Sequence, residues 1–189
     1  MLDATAPHTA AARLIRHGRL QVNDWRVFAP EAAPESNPEA GAQLPADEPG
    51  WIVPLPVWTA ARDTLRQRRH PVAVLLAPAT NLNELVGADG RVDPTGIAFI
   101  AIDFPVYTDG RGYSLAQLLR TRHGWQGELR ALGDVMIDTI HYQARVGFDS
   151  FLVKEGHDPH KALAAFKTFT VHYQKTYPKP RTPEELLAA

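Results

Sequence analysis

Two short apolar runs, Val72 to Ala77 and Ile97 to Ile102, limit what this chain can fold into more than any other feature. Each is apolar at every position and bounded by turn signals, as a strand buried on both faces would be. Strands of that kind belong to parallel sheets, where crossover helices provide the cover. Around them the pattern changes period. Thr59 to Arg69 places Ala60, Ala61 and Leu65 among arginines, which predicts a helix capped by Thr59. Glu128 to Leu132 and Phe148 to Val153 predict a third and a fourth strand. The polar stretch from Thr80 to Thr95, punctuated by Gly87, Gly90 and Gly96, is a connection. The expected class is therefore α/β: repeated βα units with a four-stranded, mostly parallel sheet, half-barrel-like or open.

At the N-terminus Arg13 to Phe28 alternates apolar and polar residues around His17-Gly18 and Asn23-Asp24, which predicts an antiparallel hairpin. Ala29 to Gly50 is rich in Pro, Glu, Ala and Gly and holds almost no large apolar residue, so a mobile loop is expected. The organisation expected is a hairpin and loop over 1–50, an α/β domain over 51–180 and a tail over 181–189. With 189 residues, 44% of them hydrophobic, one core of ordinary size can be filled. No run approaches the roughly 20 apolar residues of a membrane helix, and no basic-then-apolar leader opens the chain, which predicts a cytoplasmic protein. A net charge of −1 with no basic cluster argues against a nucleic-acid surface. The absence of cysteine excludes a disulfide framework, a thiolate nucleophile and a Cys-ligated iron–sulfur cluster.

Chemistry in open parallel sheets gathers outside the carboxyl ends of the strands. Here the second run leads into Asp103-Phe-Pro-Val-Tyr-Thr-Asp-Gly-Arg-Gly-Tyr-Ser114, which crowds charge and glycine where a helix begins. Asp103, Asp109, Arg111, Gly112 and Ser114 are thus candidates for binding a small oxyanion such as phosphate, sulfate, sulfite or a carboxylate, with Arg130 on the next strand as a second positive charge. The bland alternative is that the glycines make a turn and Arg111 pairs with Asp109 or Asp103. Ser114 and Gln117 form a capping box there, and Tyr113 with Leu118 a hydrophobic staple, so helix onset is expected at Ser114. Leu115, Leu118 and Leu119 supply that helix's buried stripe.

Gly133-Asp134 is expected to open the next helix, on which Asp134, Asp138, His141 and Arg145 follow one polar face until Gly147. They fit either a solvated face or an acid–base stripe. Asp158-Pro159 starts a last helix with Leu163, Phe166, Phe169, Tyr173 and Tyr177 on its apolar side. His157 and His160 read as surface histidines, since no cysteine accompanies them and a helix starts between them. Tyr107 and Tyr113 flank the glycine turn and could stack on a ligand. There is no dinucleotide fingerprint, no phosphate-binding loop and no nucleophile elbow.

Phe104-Pro105, Asp109-Gly-Arg-Gly-Tyr-Ser114, Leu118-Leu-Arg120, Gly127-Glu-Leu-Arg-Ala-Leu-Gly-Asp-Val135, Asp138 and Arg145-Val-Gly-Phe-Asp-Ser-Phe151 together resemble a bacterial family, the domain of unknown function 934. The resemblance runs from about Trp51 to Tyr177. Members of that family carry an oxidoreductase label and are commonly encoded beside sulfite reductase and other sulfate-assimilation genes. The resemblance implies a role in cytoplasmic sulfite reduction, and its polar set falls on Asp109, Arg111, Ser114, Arg130, Asp134, Asp138 and Arg145. Where the family often has a second arginine–aspartate pairing, this chain has Ile137-Asp138-Thr139.

Three readings follow. The first is an accessory protein of assimilatory sulfite reduction that binds a small oxyanion, or sulfite reductase itself, through the strand-end face around Arg111. The second is an oxidoreductase borrowing a flavin or nicotinamide in the same crevice, although no residue pattern names a cofactor. The third is a lyase or isomerase on a half-barrel scaffold, whose exposed sheet edge would favour a homodimer.

Overall fold

The computed structural model describes residues 13–30, 43–169, 171 and 173. Eight strands form one mixed sheet: β1 (Leu14–Arg16), β2 (Arg19–Gln21), β3 (Arg26–Val27), β4 (Trp51–Pro54), β5 (Val72–Leu76), β6 (Ile97–Phe104), β7 (Leu129–Gly133) and β8 (Ser150–Leu152). Their order is β2-β1-β8-β7-β6-β5-β4-β3. From β3 to β8 every neighbouring pair is parallel, while β1 runs antiparallel to β8 and β2 antiparallel to β1. Five helices accompany them: α1 (Leu55–Ala60), α2 (Arg62–Arg66), α3 (Arg111–Thr121), α4 (Ile140–Arg145) and α5 (Pro159–Ala165).

Alternation along each strand separates two faces. Val72, Val74 and Leu76 of β5, Ile100, Ile102 and Phe104 of β6, and Leu129 and Ala131 of β7 pack with Trp58, Leu65, Leu115, Leu119, Ile140 and Ala162 from the helices. The opposite face carries Ile52, Ala73, Phe99, Ala101 and Leu132, and no helix joins that cluster. All five helices thus lie on one side, and the sheet curls away from them as a half-barrel.

The chain itself enforces the curl. β2 and β3 are the two outermost strands, yet only residues 22–25 separate them in sequence. Seven inter-strand steps of a flat sheet would span about 34 Å. The five Cα–Cα steps from Gln21 to Arg26 reach at most about 18 Å. The edges must therefore approach each other, and the linker crosses the concave side. Trp25 packs edge-on against Phe99 at 4.6 Å there, and Asn23 accepts a hydrogen bond from Arg130 at 3.3 Å.

Several expectations need correction. The sheet has eight strands and not four, because β3 and β4 extend the parallel part and the hairpin joins β8. These added strands are two to four residues long, too short to show a period, and β4 ends on a proline. The first helix does not begin at Thr59: α1 starts directly after Pro54 with Pro56 in its first turn, and a break at Ala61 separates it from α2. Thr59 donates to the Pro56 carbonyl inside that helix. α3 begins at Arg111, three residues before Ser114, with Gly110 at the N-cap and the Asp109 carboxylate just ahead of it accepting the Arg111 N–H at 3.0 Å. Ser114 is exposed in the first turn, Leu118 is exposed, and Tyr113 packs edge-on against Phe104 at 5.5 Å where the staple was expected.

No helix forms at Gly133-Asp134. Asp134 turns toward Lys154, and helical geometry starts only at Ile140, so Asp134 and Asp138 share no helix face with His141 and Arg145. The last helix begins as expected, with Asp158 accepting the N–H groups of His160 and Lys161, but it ends at Ala165. Residues 31–42 of the expected mobile loop, Tyr177 and the 181–189 tail lie outside the described residues. Residues 43–50 are held: Arg68 donates to the Pro45 carbonyl, and Asp47 accepts the N–H groups of Arg69 and His70.

Gly112 sits in the first turn of α3 against β6. A Cβ at this position would lie 2.6 Å from Cζ of Phe104, which is itself buried, so helix and strand approach only because the side chain is missing. Gly112→Val is expected to cost about 2 kcal/mol through overpacking. Gly110→Ala, with open space at its Cβ, should stay close to wild type when both are read from urea midpoints.

Candidate functional site

β6, β7 and β8 all end at one rim, and their connections bring the expected polar residues to it unequally. After Phe104 the chain passes through exposed Val106 and Tyr107 to Asp109. Arg111 grips Asp109 twice, Nε to Oδ1 at 3.0 Å and Nη2 to Oδ2 at 2.7 Å. That hydrogen-bonded pairing holds the Asp109 carboxyl below its usual range and raises Arg111 above its own. Arg111 remains 63% exposed while Asp109 is mostly covered, so the pair presents a guanidinium whose charge is already neutralised. The bland reading of this turn, Arg111 paired with Asp109, is the one the geometry adopts.

β7 and β8 contribute a second pair. Lys154 Nζ lies 2.6 Å from Asp134 Oδ1. Asp134 is held below the ordinary carboxylate range, first by that hydrogen bond, with further help from the Tyr107 backbone N–H and nearby His157. The backbone is stitched at the same place, Asp134 N–H donating to the Phe104 carbonyl at 2.7 Å and Lys154 N–H to the Val135 carbonyl at 3.1 Å.

Asp103 differs from both. It lies on the concave face beside Leu132, its partner in register on β7. No cation pairs with it among the described residues. Burial pushes its carboxyl above the usual range, and only its interaction with the Phe104 N–H acts in the other direction. Gly133 has φ +87, and a Cβ there would come 2.7 Å from Asp103 Oδ1 and 2.5 Å from the Phe104 carbonyl oxygen. Glycine is required at 133 both for the turn and for room beside the carboxylate.

Arg130 is not brought to Arg111. It stands near the other end of β7, pairing with Ser150 and Ala101 in register. Its guanidinium is 2% exposed, donates to Glu128 at 2.7 and 3.0 Å and to Ser150 Oγ at 3.1 Å, and lies 3.8 Å over the Phe99 ring. Arg16 Nε joins the same Glu128 carboxylate at 2.9 Å. This cluster fastens the N-terminal hairpin to the parallel strands. Asp138 is exposed in the loop beyond the rim, near Tyr113, which is hydrogen-bonded to Thr139. Arg145 closes the last turn of α4.

Sequence reasoning missed Lys154, Glu128 and the Arg120–Asp149 pair. Arg120 also donates to the carbonyls of Trp125, Gly127 and Gly147, tying the α3–β7 and α4–β8 loops together. Lys154 could have been found from its place two residues after a predicted strand's inward-facing Leu152. The other two needed the tertiary register.

Residues 73–183 match the model of a family described as a bacterial protein of unknown function, DUF934. The chain belongs to that family. Its matched span starts inside β5 and contains the whole rim, whereas the hairpin, β3 and β4 precede it. Comparison with curated proteins and with solved structures gives no match for the chain. No helix among the described residues is long and apolar enough to cross a membrane, and no group of three or more potential metal ligands occurs among them.

Two outcomes follow for these carboxylates. A folded-state carboxyl above its unfolded value favours the native state at low pH and loses that contribution as pH rises through it. Asp103→Asn should therefore gain stability relative to wild type on going from pH 3 to pH 7, measured by urea denaturation at both. Glu128→Gln strands two cations at a mostly buried site and should cost about 3 kcal/mol by the same measurement.

Proposed function

We propose that this chain is a cytoplasmic accessory protein of assimilatory sulfite reduction, and that its carboxyl-end rim docks on the sulfite reductase. The connection to sulfite reduction rests on the family's usual gene neighbours. The docking mode rests on one observation: exposed Val106 and Tyr107 project from the rim beside two ion pairs, Asp109–Arg111 and Asp134–Lys154, whose charges are already matched. Apolar and aromatic side chains ringed by satisfied polar groups suit a protein surface, because burying them leaves no unpaired charge. Capture of a small oxyanion at the same rim has less support. Arg111 is held by Asp109, and Arg130 is buried with Glu128 away from the rim.

Purified protein and purified sulfite reductase are expected to co-elute from a sizing column. Tyr107→Ala should weaken that association by about tenfold or more, as removal of an aromatic anchor does. Arg111→Ala should act mainly on the association rate and its salt dependence. Separate elution of the two wild-type proteins, or undiminished binding by a Val106→Ser, Tyr107→Ala double variant, would refute the docking mode.

A further inference from the structure

The carboxylates that pair with cations across the described sheet and its loops make Asp103 conspicuous. Glu128 has Arg16 and Arg130, Asp149 has Arg120, Asp134 has Lys154, Asp109 has Arg111 and Asp93 has Arg66. Among the described residues Asp103 has no such partner, although it faces the concave side with Ala101 before it on β6 and Leu132 beside it on β7. A half-buried carboxylate in apolar surroundings gains most from a cation that arrives with a ligand.

We propose that the mouth of the half-barrel at the ends of β6, β7 and β8 binds the ammonium group of a small amine or amino acid, with Asp103 as its counter-ion. Gly133 leaves the carboxylate uncovered on the side of β7, where any Cβ would collide with it. Leu75 and Leu152, half-buried against the cluster that holds Leu132, offer apolar contact for the body of such a ligand. Lys154 stands two strands from Asp103, about 10 Å across the sheet. Its ammonium has three donors, of which Asp134 engages one, so a ligand carboxylate has a place to reach. A divalent metal suits the mouth less well, because it needs several oxygen ligands and Asp134 is already committed to Lys154. This site is separate from the docking surface of Val106 and Tyr107, and loss of reductase binding would leave it standing.

The test follows the Asp103 carboxyl by carbon-detected NMR titration, its signal assigned by disappearance in Asp103→Asn. Titrations are run with n-butylammonium chloride, with L-norvaline and with sodium chloride at equal ionic strength. A saturating amine should lower the apparent pKa of Asp103 by about 1 relative to sodium chloride. Asp103→Asn should weaken binding of either probe by about tenfold. Tighter binding of norvaline that disappears in Lys154→Met assigns the ligand carboxylate to Lys154, whereas equal binding of the two probes assigns recognition to the ammonium alone. An Asp103 titration that is the same in all three salts overturns the proposal without depending on any variant.

Discussion

The shape of this protein depends on how little chain lies between its two outermost strands. Four residues, Val22 to Trp25, connect the ends of an eight-stranded sheet. Helices on one face make curvature favourable, but the short connection makes it obligatory. It also fixes where the connection runs, since the direct route between two approaching edges lies across the hollow of the curl. Trp25 and Asn23 are thereby delivered to the interior, where Phe99 and Arg130 receive them.

That delivery solves a problem common to any one-sided α/β sheet, which buries its outer face under helices and has nothing prepared for the inner one. Here the inner face is closed near its amino end by polar contacts around one carboxylate. Glu128 satisfies Arg130 from its own strand and Arg16 from the hairpin, and Ser150 donates to the same group. The arginine also lies flat on Phe99, so its apolar plane faces the core while its edge stays hydrogen-bonded. A cluster of this kind contributes register more than raw stability, because desolvating three charges offsets much of their attraction. Among the described residues, no ion-pair cluster of this kind stands on the inner face at the carboxyl end.

β5 and most of β6 were legible because an unbroken apolar run admits few alternatives. β5, β6 and β7 appear within one or two residues of their expected bounds. Helix starts were less legible, for a specific reason at each. Ser114 satisfies every local rule for a cap, yet Asp109 reaches the chain first and the helix begins a turn earlier. Asp134 has the right spacing for a helix face, but Lys154, twenty residues on, claims it and holds the backbone in a loop. Of the candidate site, Asp103, Asp109, Arg111 and Asp134 lie toward the carboxyl-end rim, Asp134 from a loop and not from the helix face predicted for it. Arg130 does not, because parity on a strand tells which face a residue takes but not how far along the strand a partner will stand.

The pairing of β1 with β8 also sets an order of events. Leu14 stands opposite Leu152, and Ile15 opposite Phe151. On a ribosome the hairpin emerges before all the parallel strands and must wait for β8, the last of them, before it has a strand to join. Closing so long a loop is entropically costly until the parallel strands between are in place. The hairpin strands, made before the strand they join, are therefore seated after it, and Arg16 remains without its carboxylate until Glu128 has been made. The hairpin of β1 and β2 is thus the clasp that closes the parallel sheet.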